Sequence, residues 1–296
     1  MINKQPSIEC VWPAEAILGE SPYWCSEEQM LYWVDIDGKT VMSFDPATGA
    51  RKTYPQIYEV GNIVKRTDGG FIAAMESGLT LLDDNLSNIE IFDKPEEKLP
   101  NNRFNDGKCD RRGRFWAGSL DRGEVLPAGS LYCVGSDNNV SKVLSELVIP
   151  NGMGWSLDNK TMYFTDSGKC TIYAFDFDLQ TAKIENRREF IVVDPEHGVP
   201  DGLCVDAKGF VWSAHWGGSC VTRYDPDGKV ERVVAMPVPL VTSLAFGGAK
   251  LDQLFITSAR YGMSDTELAE APLSGGLFVF EPGVLGLPDV PYNQGA

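Results

Sequence analysis

Oxygen-bearing side chains occupy matching positions in six segments of the chain. The segments are GESPYWCSEE, VGNIVKRTDG, FNDGKCDRRG, PNGMGWSLDN, PDGLCVDAKG and VTSLAFGGAK. Counted from the strand that follows each segment, the matching positions hold Glu20, Gly61, Asn105, Asn151, Asp201 and Ser243. Four of the six residues carry a carboxylate or amide oxygen, and none is basic. Such oxygens are preferred by hard divalent cations, so the pattern predicts a cation site wherever these residues meet around one axis.

Three of the four positions have a second interpretation as ordinary turns. Asn-Gly, Asp-Gly and Asn-Asp-Gly are common turn signals in β proteins, and they occur here at Asn151, Asp201 and Asn105. Glutamate has no comparable role in turns. The observation that Glu20 occupies the same aligned position as the other three residues is therefore the most informative evidence for the cation site.

An element that could bring these residues together is visible as a repeat. A short aromatic or β-branched strand occurs six times, as LYWVDID, FIAAMES, FWAGSLD, MYFTDSG, VWSAHWG and LFITSAR. Aligned on the second or first apolar residue, the copies are 39, 44, 48, 48 and 44 residues apart. Several copies are followed by a second strand and a turn rich in Asp, Pro, Gly and Asn. This period is typical of propeller blades, and no stretch shows a sustained helical period.

The repeat predicts a single domain over residues 1–296, an all-β, six-bladed β-propeller of four-stranded antiparallel blades with the metal site in its central channel. A propeller must also close its ring, and a strand from one chain end commonly completes the blade made by the other. We expect the segment from Ser7 to Trp12 to pair with the blade at residues 252–281.

Composition narrows the range of partners. The 26 basic and 42 acidic residues give a formal net charge of −16, which disfavours nucleic acid and anionic membranes. The first residues lack the apolar core of a signal peptide, so we expect a cytoplasmic protein that needs no membrane and no obligate protein partner. The seven cysteines are widely spaced without a CxxC pair, which predicts reduced, mostly buried thiols.

Covalent catalysis is not expected. The sequence has no GxSxG elbow, and its two histidines, His197 and His215, accompany no recognisable nucleophile. His197 lies four residues before Asp201 and could line the pocket as a substrate contact. The alternative is that both histidines are neutral loop or core residues.

Several motifs in order along nearly the whole chain resemble the SMP-30/regucalcin/gluconolactonase family, and in particular its bacterial sugar lactonases. They are Gly19-Glu20-Ser21-Pro22, Asn102 through Lys108, Pro150-Asn151-Gly152, Pro200-Asp201-Gly202 and Thr242 through Gly248. The resemblance implies that Glu20, Asn151 and Asp201 bind one divalent metal ion directly. It implies calcium first, with Mg²⁺, Mn²⁺, Zn²⁺ or Fe²⁺ as alternatives. Asn105 would complete or flank the site, and Arg103 would contact substrate oxygens.

The implied activity is metal-dependent hydrolysis of a sugar (aldono-) lactone to the sugar acid, of the gluconolactonase or pentonolactonase type. Asp201 would act as the general base or orient the attacking water. The chain departs from animal members of the family near residues 118–124, where an acidic pair contacts substrate; either Asp121 or Glu124 is expected to replace it.

Two other functions remain open from the sequence. A related propeller hydrolase of the phosphotriesterase or paraoxonase kind would use a similar metal, since a cation also activates phosphoryl oxygens. A non-catalytic calcium-binding propeller of the regucalcin type would need the metal ligands but no substrate-binding arginine. Fold alone supports none of these functions over the others.

Overall fold

The computed structural model describes residues 6–87 and 89–295, and in them the chain forms six four-stranded antiparallel sheets. The first three blades are built from consecutive strands. Blade one contains β2 Gly19–Cys25, β3 Met30–Asp35, β4 Thr40–Asp45 and β5 Ala50–Pro55. Blade two contains β6 Val60–Lys65, β7 Phe71–Met75, β8 Gly78–Leu82 and β9 Ile89–Asp93. Blade three contains β10 Asn102–Cys109, β11 Phe115–Asp121, β12 Gly129–Val134 and β13 Val140–Leu147.

The other three blades complete the ring. Blade four contains β14 Pro150–Trp155, β15 Thr161–Asp166, β16 Thr171–Asp178 and β17 Lys183–Val192. Blade five contains β18 Val199–Val205, β19 Val211–Trp216, β20 Cys220–Tyr224 and β21 Val230–Ala235. Blade six contains β22 Val241–Gly247, β23 Gln253–Ser258, β24 Leu277–Phe280 and the N-terminal β1 Glu9–Trp12. The predicted six-bladed propeller is confirmed.

Burial falls from the first to the last strand of a blade. Every residue of β2, β14 and β22 is buried, whereas β5 exposes nearly all of its residues. The inner strands are rich in Gly, aromatic and aliphatic residues because neighbouring blades cover both of their faces. The outer strands carry charged residues, as in ARKTYP and KIENRREFIV, which suit a solvated sheet edge.

The ring is closed by the N-terminal strand, as predicted, although the strand begins at Glu9 and not at Ser7. Glu9 pairs with Val279 and Cys10 with Phe278 in antiparallel register. The Trp12 ring then packs edge-on against Trp33 of blade one, with ring centroids 5.6 Å apart. The closure strand therefore joins the last blade to the first through both hydrogen bonds and an aromatic contact.

The C-terminal segment after β24 covers one end of the channel. Asp289 accepts a hydrogen bond from the backbone N–H of Trp24 and lies 2.9 Å from the ammonium of Lys108. Tyr292 is fully buried, and its hydroxyl donates to the carbonyl of Gly135 at 2.6 Å. Since Lys108 lies at the far end of β10, this tail closes the channel opposite the end where the inner strands begin.

Smaller elements complete the description. Helix α1 spans Asp265–Glu270, and two short 3₁₀ turns span Ser167–Lys169 and Pro195–His197. A search of the described residues finds no helix with the length and apolar character required to cross a membrane. All seven cysteines lie in this part of the chain and are free, five of them buried, as the sequence predicts.

Loss of the closure strand should expose an unpaired edge of β24. We expect deletion of residues 1–13 to lower the free energy of unfolding by about 3 kcal/mol or more. The deletion removes the partly buried Trp12 together with the pairing of β1 to β24, and a large-to-small change at a buried tryptophan alone costs about that much. Denaturant unfolding and light scattering measure the effect. Glu9→Gln, at an exposed position of the same strand, is the control and should change neither. An unfolding midpoint equal to that of the full chain would contradict this role of β1.

Candidate metal centre

Each innermost strand has an irregularity near its start, and the residue after the last regular pair faces the channel axis. In β14 that pair is Pro150 with Asp166, and in β18 it is Pro200 with His215. Asn151 and Asp201 come next. By the same register Gly61 and Asn105 occupy the corresponding positions in blades two and three. In blade one Glu20 itself forms the last regular pair, with Val34, so the matching residue is Ser21 and Glu20 lies one residue before it.

The sequence alignment was wrong by one residue in blade six, as it was for Glu20 in blade one. Val241 pairs with Ser258 before the irregularity, so Thr242 and not Ser243 is the matching residue. The Thr242 hydroxyl donates to the carbonyl of Gly19. The error arose because Ser243 stands where blades four and five have a glycine, so no glycine directly after the matching residue marks the register.

The glycines after Asn151 and Asp201 are required by close packing between inner strands. A Cβ on Gly152 would lie 2.1 Å from the backbone nitrogen of Leu203, and one on Gly202 would lie 2.1 Å from Oγ of Ser243. Both glycines lie inside strands. The Asn-Gly and Asp-Gly pairs are therefore strand irregularities at the channel mouth, and the interpretation as turns is wrong.

Two buried oxygens at this mouth have no hydrogen-bond partner among the described residues. They are Asn151 Oδ1 and Asp201 Oδ1. The orientation of the Asn151 amide follows from its neighbour, because the Ser167 hydroxyl donates to the carbonyl of Pro200 at 2.6 Å and accepts from Asn151 Nδ2 at 3.1 Å. Asn151 therefore presents its oxygen to the channel. A buried acceptor without a donor is costly unless a ligand or ion satisfies it.

Asn105 is held differently. Its Nδ2 donates to the carbonyl of Pro150 at 3.0 Å, and its Oδ1 accepts from Arg103 Nη1 at 2.7 Å. Both polar atoms thus have protein partners, which places Asn105 beside the site and leaves Asn151 and Asp201 with the unpartnered oxygens. Arg103 is buried, and its second nitrogen lies 3.6 Å from Oε1 of Glu124.

The carboxylates at the mouth repel one another in a buried environment. Burial, followed by the charge of Asp106, raises the pKa of Glu20 to about 8, although the Ser21 N–H donates to its Oε2 at 3.0 Å. Burial and the charges of Glu20 and Asp106 hold the pKa of Asp201 well above its usual range. A cation among these groups would favour the charged forms and remove the repulsion.

Asp106 is a further buried carboxylate that the position-by-position comparison did not identify. It accepts hydrogen bonds from the Gly107 N–H at 2.7 Å and from the Ser21 hydroxyl at 3.2 Å. Burial raises its pKa. Asp106 therefore contacts the residue that directly follows Glu20. The backbone at Ser21 has a positive φ of 49°.

The residues at the mouth fit a hard cation with oxygen ligands. Glu20, Asn151 and Asp201 supply two carboxylates and one amide from three blades. Across the residues described, no three His, Cys, Asp or Glu side chains converge as metal ligands, so the third donor of the set is the amide. Oxygen donors without histidine or cysteine suit calcium, magnesium or manganese better than zinc.

A cavity of about 570 Å³ opens above these groups. Glu20, Arg103, Asn105, Asn151 and Asp201 all line it, so the structure brings together the five principal residues that the sequence predicted. Glu124, predicted as a weaker substrate contact, also lines it. The apolar part of the remaining wall consists of Leu18, Ile149, Val199, Trp216 and Tyr261. This volume and mixed lining are typical of small-molecule sites.

Sequence reasoning missed three charged residues of the wall. They are Asp37, Glu59 and Arg122. Asp37 lies two residues after β3, Glu59 immediately precedes β6, and Arg122 immediately follows β11. All three are therefore at the strand ends that surround the channel mouth. The strand repeat could have identified them if its ends had been compared as closely as the inner strands.

Two predicted contacts lie outside the cavity lining. Asp121 is buried, and it accepts hydrogen bonds from the Asn101 side chain and from the Gly123 N–H at 3.0 Å, which fixes the turn before Glu124. His197 is exposed, and its backbone carbonyl lies 3.1 Å from Nδ1 of His215. The structure gives neither residue a side-chain contact with the cavity, because short-range hydrogen bonds and the direction of the loop decide where these side chains point.

His215 is a core residue. Its Nε2 lies 3.3 Å from the Tyr224 hydroxyl, and burial lowers its pKa, which favours the neutral ring. The neutral tautomer with the proton on Nδ1 donates to His197 and accepts from Tyr224. His215 therefore satisfies two polar groups of blade five and is not paired with a nucleophile.

Comparisons with known proteins agree with this fold. Residues 18–260 match the family model described as the SMP-30/Gluconolactonase/LRE-like region. Regucalcin of Oryctolagus cuniculus is 38% identical over 296 residues, which cover 96% of this chain and 98% of the relative.

Solved structures show the same similarity over nearly the whole chain. A luciferin-regenerating enzyme is 32% identical with a TM-score of 0.91, over 98% of this chain and all of the other. A regucalcin from Agrobacterium tumefaciens, described as a calcium-binding protein, is 28% identical with a TM-score of 0.92, over 97% of each chain. The resemblance inferred from the motifs is confirmed: this chain belongs to the SMP-30/gluconolactonase/LRE-like family.

Proposed function

We propose that this protein hydrolyses a sugar lactone to the corresponding sugar acid, with one divalent cation held by Glu20, Asn151 and Asp201. The observation that carries the proposal is the pair of buried, unpartnered oxygens on Asn151 and Asp201 beside the buried carboxyl of Glu20. These groups form the floor of a cavity of about 570 Å³. A site built only to stabilise the fold would be expected to satisfy its own polar atoms.

The cation would supply Lewis acidity, which polarises an ester carbonyl and lowers the pKa of water. Calcium is the first choice for this all-oxygen donor set, and magnesium, manganese, zinc or ferrous iron are alternatives. The description of the Agrobacterium relative as a calcium-binding protein supports this order.

The protein's own residues would perform the remaining steps. Asp201 would orient the attacking water or accept its proton. This second role requires a carboxylate oxygen that the cation leaves free, or a transient change in ligation. Arg103 offers a buried cationic donor for oxygens of the substrate, and Asn105 holds that guanidinium in place at 2.7 Å. Arg103, Asn105 and Asp201 are buried, which strengthens their electrostatic interactions relative to those in water.

A lactone fits these features better than the two alternative functions. A cyclic ester needs one polarised carbonyl and one activated water, and a polyhydroxylated ring needs polar contacts on the wall, which Arg103 and its neighbours offer. The family name includes gluconolactonase. A phosphotriester would use the same cation but has few hydrogen-bond donors for the carboxylates of the wall. A purely calcium-binding propeller would have no use for the cavity or for a guanidinium fixed at its floor.

Turnover of aldonolactones tests the proposal. We expect proton release from a panel of five- and six-membered aldonolactones that stops when the protein is stripped with EDTA and returns with a divalent cation. Asp201→Ala should reduce kcat by about a hundredfold or more, the usual size of a general base contribution. His197→Ala is the control and should leave the rate unchanged, since its side chain is outside the cavity. Tight cation binding without turnover of any lactone would favour the calcium-binding function, and turnover of phosphotriesters alone would favour the phosphotriesterase.

Cation binding should depend on pH because Glu20 must lose its proton. With a pKa of about 8 in the cation-free protein, binding near neutral pH displaces a proton, and affinity should rise with pH by up to about tenfold per unit below that pKa for each proton displaced. Calorimetric titration in buffers of different ionisation enthalpy counts the protons released.

The same shift predicts how the stripped protein responds to pH. Its folded state keeps a proton on Glu20 that the unfolded chain loses near the ordinary glutamate pKa, so stability should fall as pH rises from about 5 to about 8. A divalent cation should restore more stability at the upper end of this range. Glu20→Gln should reduce this dependence, and the raised pKa values of Asp201 and Asp106 should leave a smaller fall with pH. Cation affinity that does not change with pH, with no proton release, would contradict the electrostatic account of the site.

A further inference from the structure

One carboxylate in the cavity wall has no function in the interactions described so far. Asp37 lies in the turn between β3 and β4, lines the cavity together with Glu20 and Arg103, and is partly buried. Its carboxylate makes no hydrogen bond and no ion pair with any described residue; only longer-range electrostatic interactions reach it.

The neighbouring Asp35 shows that the turn does not need Asp37. Asp35 accepts hydrogen bonds at 2.9 Å from the backbone N–H groups of Ile17, Leu18 and Gly38. Gly38 leaves space for it, since a Cβ there would lie 2.3 Å from Oδ2 of Asp35. The shape of the turn is therefore fixed by Asp35 and Gly38. The side chain of Asp37 is left free to face the cavity.

The cations near Asp37 are already engaged by other groups. Arg103 contacts Asn105 and approaches Glu124. Arg122 lies 2.7 Å from Glu59 and 3.1 Å from Glu76.

The other charges that reach Asp37 do not replace a direct partner. Arg103 and Arg122 favour its charged form, whereas Glu59 and Asp35 oppose it, and partial burial is the largest influence and raises its pKa. The carboxylate thus loses part of its hydration without gaining a partner in the protein. Partners would have to come from a molecule in the cavity.

We propose that Asp37 binds hydroxyl groups of the substrate ring and so selects polyhydroxylated lactones over lactones without hydroxyl groups. A carboxylate has two acceptor oxygens and can receive two O–H donors at once, which matches adjacent hydroxyls on a sugar ring. A neutral donor suits the site better than a second anion, because four further carboxylates line the same cavity. They belong to Glu20, Glu59, Glu124 and Asp201. This inference rests on the proposed lactonase function and names the part of the substrate that the cavity wall recognises.

Kinetics on two lactones of the same ring size test the proposal. For an aldonolactone, Asp37→Asn should raise KM by about tenfold or more, since a hydrogen bond to a charged group contributes about 1.5–3 kcal/mol, while kcat stays unchanged. For the ring without hydroxyl groups, KM should be the same in both proteins. Asp227→Asn, at an exposed turn at the opposite end of blade five, removes the same charge far from the cavity and should change neither constant. An unchanged KM for the aldonolactone, or an equal rise for both lactones, would overturn the inference.

Equilibrium binding separates this inference from the proposed function. An anhydroalditol keeps the ring hydroxyls and lacks the ester carbonyl, so calorimetry can measure its binding without turnover. We expect binding to the cation-loaded wild type and a loss of about tenfold in Asp37→Asn, with the denaturation midpoint unchanged. If Asp37→Asn loses affinity for the anhydroalditol and the wild type hydrolyses no lactone, the inference about Asp37 holds and the proposed lactonase function is wrong. Turnover of aldonolactones with equal anhydroalditol binding by both proteins would remove the inference alone. Failure of the cation-loaded wild type to bind the anhydroalditol would also overturn the inference about Asp37.

Discussion

The candidate site depends on how closely six inner strands approach one another around a single axis. At Gly152 and Gly202 the adjacent strands leave no room for even a Cβ. The irregularity of register next to these glycines turns the preceding side chains toward the axis. Backbone geometry thus sets the direction of the Asn151 amide and of the Asp201 carboxylate. This geometry requires a residue without a Cβ directly after each of them. Blade closure by β1 matters for the same reason, because an open ring would not hold three blades at fixed distances.

That convergence has an electrostatic consequence. Glu20, Asp201 and Asp106 are all buried, and burial raises the pKa of each. Repulsion by neighbouring carboxylates raises the pKa of Glu20 and of Asp201 further. At the opposite end of the channel the charges of Lys108 and of Asp289 in the C-terminal tail compensate each other in an ion pair. The unbalanced negative charge is thus confined to the end that opens into the cavity. A divalent cation there would offset it and would also satisfy the two unpartnered oxygens.

The sequence predicted the fold well because the repeat is long and its inner strands are strongly patterned. Spacing alone located the strands, and the closure strand followed from the need to cover an edge. The same method placed Glu20, Asn105, Asn151 and Asp201 in one ring, since equivalent strand positions must meet at the axis. It was wrong by one residue in blades one and six, where the strand register makes Ser21 and Thr242 the matching residues. Glu20, one residue before Ser21, still lines the cavity.

What the sequence could not give is the direction of individual side chains. Asn105 looked equivalent to Asn151, but its oxygen is taken by Arg103. Asp121 looked equivalent to Glu124, but backbone and side-chain donors within its own turn hold it out of the cavity. Asp37, Glu59 and Arg122 lie in connections between strands, whose course depends on tertiary contacts that no periodic pattern encodes.

The central claim is that three oxygen donors from three blades bind one divalent cation. Anomalous diffraction from crystals soaked in manganese tests it most directly, because it locates the ion without reference to activity. The account predicts one strong peak at the channel mouth, within about 2.5 Å of the Glu20 carboxylate, Asn151 Oδ1 and Asp201 Oδ1, as expected for oxygen ligands of such ions. A channel mouth without a peak in fully soaked crystals, or a peak bound by other residues, would contradict it.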